Sequence, residues 1–133
     1  PVAILSAAMV PAQTHPCRMI LVVEDDAAIR TALQLALEIE GYSVRTAGNG
    51  QEALQLLARI DTPCLILLDL MMPIMNGWEF AQALRKDMVL APIPVAIVTA
   101  YSEEASHFEG AQALIKKPVD LELLYHVVRK FCG

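Results

Sequence analysis

The sequence predicts an α/β fold built on an open, doubly wound parallel sheet. Two observations carry this. Five short apolar runs recur between residues 19 and 116, and the segments separating them place apolar residues at helical spacing with short links. A third supports them: 133 residues at 56% hydrophobic and 19% charged suit one domain with a sizeable core and exclude a disordered chain. The formal charge of −5 argues against broad electrostatic capture of nucleic acid, so no direct nucleic-acid contact is expected.

The elements follow in order. Met19–Val23 is an apolar run ended by Glu24-Asp25-Asp26, the pattern of a strand buried on both faces. Ile29, Leu33 and Leu37 then repeat at helical spacing until Gly41 stops the helix. Residues 42–47 read as a second strand, with Ser43, Arg45 and Thr46 polar enough for a sheet edge. Asn49 with Glu52 three residues on has the form of a capping box for a helix to Arg59, and Asn76 with Glu79 repeats it for a helix to about Lys86. Between them, Leu65–Leu68 is a central strand ending at Asp69. Residues 94–98 form the fourth strand, ended by Thr99-Ala100, and 102–108 hold only one to two helical turns. A short fifth strand spans 113–115, and Asp120 caps a last helix with Leu121, Leu124, Val127, Val128 and Phe131 on one stripe.

Residues 1–18 are expected to be a flexible extension or cloning remnant, on the strength of a start at Pro1 rather than Met and of Pro11 and Pro16; the domain is expected over 19–133. The apolar stretch at 1–10 is too short to span a bilayer and lacks a basic flank, so neither membrane insertion nor a secretory signal is expected. Cys17, Cys64 and Cys132 are odd in number and far apart, which reads as free thiols without redox or metal role in a reducing, cytoplasmic setting.

Ligands of such sheets bind beyond the carboxyl ends of the strands. There the pattern gathers Glu24, Asp25 and Asp26 after strand one, Asp69 after strand three, Thr99 after strand four and Lys117-Pro118 after strand five. Converging carboxylates repel unless a cation shares them, and an all-oxygen set suits Mg²⁺. A lysine and a threonine opposite could hold the oxygens of a transferring phosphoryl group, with an aspartate as nucleophile. Solvated helix-cap acids beside a surface lysine are the plainer alternative, which Asp26 and Lys116 fit.

Taken in order, Ile20-Leu-Val-Val-Glu-Asp-Asp26, Leu67-Leu-Asp-Leu-Met-Met-Pro-Ile-Met-Asn-Gly77, Val98-Thr-Ala100 and Lys117-Pro118 resemble the receiver domain of two-component response regulators over 19–131. The resemblance implies a CheY-like, flavodoxin-like three-layer α/β/α fold with strand order 2-1-3-4-5. It implies Asp69 as phosphoacceptor, with Asp25, Glu24 (largely through water), Asp69 itself and the Met71 backbone carbonyl around Mg²⁺. Lys117 would pair with the phosphoryl group or with Asp69 before phosphorylation. Thr99 would move to a phosphoryl oxygen, Ala100 would leave room for the group, Pro118 would follow a cis peptide bond, and Gly77 would allow a tight turn. The implied partner is a histidine kinase or a histidine phosphotransfer protein, with an unidentified downstream protein target. The implied role is a cytoplasmic switch, not an enzyme beyond its own phosphorylation and slow dephosphorylation.

Two departures stand out. Leu114 occupies the position three before Lys117, where the family usually has Tyr or Phe, so the usual coupling to Thr99 is not expected; Tyr101 is the candidate substitute gate. Thr99 to Lys117 is eighteen steps, about one helical turn fewer than usual, which shortens the fourth helix and favours a monomer or weak homodimer. Two other classes compete: a receiver-like interaction module that no longer switches, and a small Mg²⁺-dependent phosphotransferase or phosphatase, for which the chain leaves little room.

Overall fold

Every strand of the computed structural model, which describes residues 18–100 and 102–133, is followed by a helix lying across one face of the sheet. The strands are β1 (Met19–Val23), β2 (Ser43–Ala47), β3 (Leu65–Leu68), β4 (Val95–Thr99) and β5 (Ala113–Lys116). The helices among the described residues are α1 (Ala27–Ile39), α2 (Gly50–Leu57), α3 (Gly77–Arg85), α4 (Ser102–Ala105) and α5 (Leu121–Cys132). The sheet is wholly parallel with order β2-β1-β3-β4-β5, and β1 registers Ile20 on Val44 to one side and on Leu65 to the other.

Side-chain alternation divides the core into two layers. Ile20, Val22, Leu65, Leu67, Ala96, Val98 and Ile115 meet Leu33 and Leu37 of α1 and Leu124, Val127 and Val128 of α5. Leu21, Val23, Ile66, Leu68, Val95 and Ile97 meet Ala53 and Leu57 of α2 and Phe80 and Leu84 of α3. Central strands with apolar residues on both faces are what this sandwich requires. The second layer is thinner at one edge. With α4 only four residues long, Leu114 on β5 stays 46% exposed.

The expected caps form at Asp26, Asn49, Asn76 and Asp120, each accepting a backbone N–H from the first turn of its helix. Only Asn76 and Glu79 close the full reciprocal box; Glu52 turns back to the Gly48 N–H at 3.2 Å instead. Gly41 takes φ +94°, which ends α1 as expected.

Several expectations are corrected. Leu121 does not join the stripe of α5 but faces outward, 47% exposed. Gly77 has no positive φ; a Cβ there would lie 2.7 Å from the Asp69 carbonyl oxygen and 2.8 Å from the Leu70 Cα, so the position needs a glycine for space rather than for turn geometry. Cys64 and Cys132 are not free thiols: they form a disulfide across 68 residues, with Cα atoms 5.5 Å apart. Sequence spacing hid this because only the fold brings the start of β3 beside the end of α5. Of the expected extension, Arg18 is described, and its guanidinium sits 4.5 Å over the Tyr42 ring. No described helix is long and apolar enough to cross a membrane.

Candidate functional site

Parallel ladders slant so that one more N–H can be bound after a strand formally ends. At the carboxyl rim those bonds fix the backbone of the acidic and basic residues. Glu24 N–H donates to the Ala47 carbonyl at 3.0 Å, Asp69 N–H to the Val23 carbonyl at 2.9 Å, and Lys117 N–H to the Thr99 carbonyl at 2.9 Å. Three side chains are thereby aimed from three strands at one point, with Thr99 fully buried at the end of β4.

Glu24, Asp25 and Asp69 each bring one carboxylate oxygen to within 4.8 Å of the others. Glu24 and Asp69 are buried, at 2% and 5% exposure, while Asp25 faces solvent. The Lys117 ammonium lies 2.6 Å from Glu24 Oε1 and 3.6 Å from Asp69 Oδ2, so its closer partner is Glu24 rather than the expected Asp69. Glu24 Oε2 accepts the Asp26 N–H at 3.1 Å, whereas the buried Oε1 faces the Lys117 ammonium.

Fully ionised, three carboxylates and one ammonium leave two negative charges in a half-dry pocket. The Asp69 pKa answers this by rising to about 7: burial is the main cause, the Glu24 charge adds to it, and the Lys117 charge opposes it. Lys117 is raised as well. Burial alone would lower it, but the Glu24 hydrogen bond and the Asp69 and Glu24 charges outweigh that. Surplus negative charge and an all-oxygen donor set fit a hard divalent cation.

The remaining expected residues fall around this centre. Pro118 follows Lys117 through a cis peptide bond. Met71 is half exposed in the loop after Asp69, and Ala100 is exposed just past β4. Asp26 caps α1 and points away from the acid set into the Ala28 and Ile29 N–H groups. Leu114 lies on the α3/α4 side of β5, on a strand whose carboxyl end carries Lys116. The gate expected at Tyr101 lies outside the described residues.

Two contributors escaped sequence reasoning. Arg30, one turn into α1, donates to the Glu24 carbonyl at 2.9 Å and the Asp25 carbonyl at 3.3 Å, clamping the acidic loop from behind. An arginine on a helix following an acidic turn was the available signal. Ile74 takes φ +69° in the loop that follows Asp69, a conformation rare for a β-branched residue, and nothing in its composition announced it.

Comparison with known proteins converges on one family. The family model for the response regulator receiver domain matches residues 20–129. The protein described as "Probable transcriptional regulator ycf27" of Pyropia yezoensis is 43% identical over 93 residues, covering 70% of this chain and 37% of the relative. The response regulator MprA of Mycobacterium leprae is 39% identical over 114 residues, covering 83% of this chain and 49% of its own length. The chain thus spans half or less of these curated relatives. Among solved structures, the response regulator TrrA of Thermotoga maritima in complex with Mg²⁺-BeF superposes with a TM-score of 0.77 at 34% identity, covering 86% of this chain and 98% of that one. With the strand order, the acid cluster at the carboxyl rim and these matches in agreement, the chain belongs to the response regulator receiver domain family.

Proposed function

We propose that the chain is the phosphoacceptor switch of a two-component relay, with Asp69 as the acceptor. The observation that supports this most is the convergence of the Glu24, Asp25 and Asp69 carboxylates within 4.8 Å, with the Lys117 ammonium 3.6 Å from Asp69 Oδ2. An ionised Asp69 oxygen attacks the phosphorus of a phosphohistidine on a histidine kinase or a histidine phosphotransfer protein. The P–O bond forms as the P–N bond breaks, and the imidazole leaves. Phosphoryl transfer of this kind needs positioning and charge neutralisation more than proton transfer.

Lys117 shares its charge between Glu24 and Asp69 and can follow the acceptor as negative charge gathers on the phosphoryl oxygens. Thr99, held at the end of β4, supplies a hydroxyl to one of those oxygens, and Ala100 keeps the approach open. Glu24, Asp25, Asp69 and the Met71 carbonyl would hold Mg²⁺, which when bound neutralises the carboxylates together with the phosphoryl oxygens. Slow hydrolysis of the aspartyl phosphate resets the switch. The exchange is assigned to the cytoplasm, where ATP feeds the phosphodonor, and the downstream target is a protein. Residues 19–133 constitute the switching unit.

Acetyl phosphate with Mg²⁺ tests the proposal by intact mass. One phosphoryl adduct is expected, absent from Asp69→Asn and suppressed by EDTA. An adduct mapped to another residue, or labelling that is undiminished in EDTA, overturns it. No adduct at all would favour the non-switching interaction module, a reading supported by the half-exposed Leu114 and the single turn of α4.

A further inference from the structure

The phosphoryl chemistry uses the carboxyl rim of the sheet and leaves the opposite rim without a role. There Cys64, immediately before the central strand β3, meets Cys132, the last residue of α5. We propose that this pair is a reversible thiol–disulfide site that fastens α5 to the sheet when the protein meets an oxidant of the low-molecular-weight disulfide class. The inference does not depend on Asp69 as the acceptor and takes from the proposed function only its cytoplasmic setting.

The geometry allows both redox states on one backbone. Cα atoms 5.5 Å apart lie within the range a disulfide spans without backbone movement. The Cys64 Sγ lies 3.2 Å from the Met19 carbonyl oxygen, so a thiol formed there on reduction would have an acceptor within reach. Cytosolic thiols are held reduced, so a bond in such a setting forms on exposure to oxidant and is undone afterwards.

The two sulfurs differ in access, and this sets the order of exchange. Cys64 is half-buried, whereas Cys132 is 2% exposed. The Cys64 thiolate attacks the small disulfide, forming a mixed disulfide and releasing one small thiol. The Cys132 thiolate then attacks the Cys64 sulfur and displaces the second small thiol. Two electrons pass from the protein dithiol to the small disulfide, and the two protons leave on the released thiols. Reduction by a dithiol reverses both steps, beginning again at the accessible Cys64 sulfur.

Closure ties down a helix that is otherwise held by side chains. Near its carboxyl end α5 is joined by the Tyr42 hydroxyl donating to the Gly133 carbonyl at 3.3 Å, and in its middle by the Tyr125 hydroxyl donating to the Ala36 carbonyl at 3.5 Å. Both are long hydrogen bonds. A covalent link to β3 removes local opening of the last turns as a route for amide exchange.

The test uses the whole chain, reduced and then incubated with oxidised glutathione. Alkylation and peptide mapping should show loss of the Cys64 and Cys132 thiols together, restored by dithiothreitol. Amides in 124–132 should exchange at least tenfold more slowly in the oxidised form, and the melting temperature should rise by roughly 10 °C. Cys132→Ser and, should that variant fail to fold, the half-buried Cys64→Ser should abolish the redox response. Any of four results overturns the proposal: both thiols still alkylatable after oxidation, a glutathione adduct that never resolves, a bond that forms through Cys17 instead, or equal exchange rates in the two states.

Discussion

At the carboxyl rim three carboxylates crowd one ammonium, and the Asp69 pKa is pushed to about 7; at the amino rim a disulfide, a cation–π contact and a tyrosine hydrogen bond close the structure. One end of the sheet carries unrelieved charge, and the other carries cross-links. The same strands serve both, since Cys64 and Asp69 flank β3 and Arg18 and Glu24 flank β1. The difference teaches that a site can hold like charges together when the elements presenting them are secured elsewhere.

The sharpest way to break this contrast is to cut the amino rim. In the oxidised protein, Cys64→Ser opens a link across 68 residues and should cost about 4 kcal/mol in the loop-entropy treatment, read from the urea midpoint. Relieving the carboxyl rim should do the opposite. Without Mg²⁺ at pH 8, Asp69→Asn removes a buried charge and should stabilise the fold by about 1–3 kcal/mol while abolishing phosphorylation.

The pH dependence has a definite sign. A carboxyl raised from 3.8 to about 7 keeps its proton longer in the folded state than in the unfolded one. Its contribution to stability is therefore fully present below pH 3.8 and is lost as pH rises toward and through about 7. Metal-free wild type should lose stability over that window relative to Asp69→Asn, and the difference between their denaturation curves should flatten above it. Equal slopes for the two proteins would remove the charge from the comparison.

Smaller effects sharpen the picture further. Arg30→Gln frees the Glu24 and Asp25 carbonyls and should weaken Mg²⁺ binding roughly tenfold by calorimetry, with Arg30→Lys recovering part of the loss. Ile74→Gly should raise stability by about 0.5–1 kcal/mol, because a 76% exposed side chain at φ +69° gives up little burial and sheds its backbone penalty.

Much of this was legible in the chain itself. Apolar runs that end in acids marked both the strands and the rim where chemistry gathers, and local signals such as Asn76 with Glu79 located helix starts within a residue. What failed was the choice between competing local partners and whatever depended on distant approach. Glu52 offered the same capping spacing as Glu79, yet the Gly48 N–H was nearer to hand. Cys64 and Cys132 looked unrelated because no spacing rule links a strand start to a helix end across the sheet. Lys117 does pair with Asp69 as expected, but it also pairs, more closely, with Glu24, a second partner that spacing did not announce.

Gly77 has a mechanical consequence. A Cβ added there would meet the Asp69 carbonyl oxygen at 2.7 Å, and the Gly77 N–H already donates to the Leu70 carbonyl at 2.9 Å. The first residue of α3 therefore rests directly on the peptide that follows Asp69, with no side chain between them to yield. A joint without such padding has no backlash. A displacement of the Asp69 main chain would therefore press directly on the start of α3, the helix acting as a pushrod for the strand end it leans on.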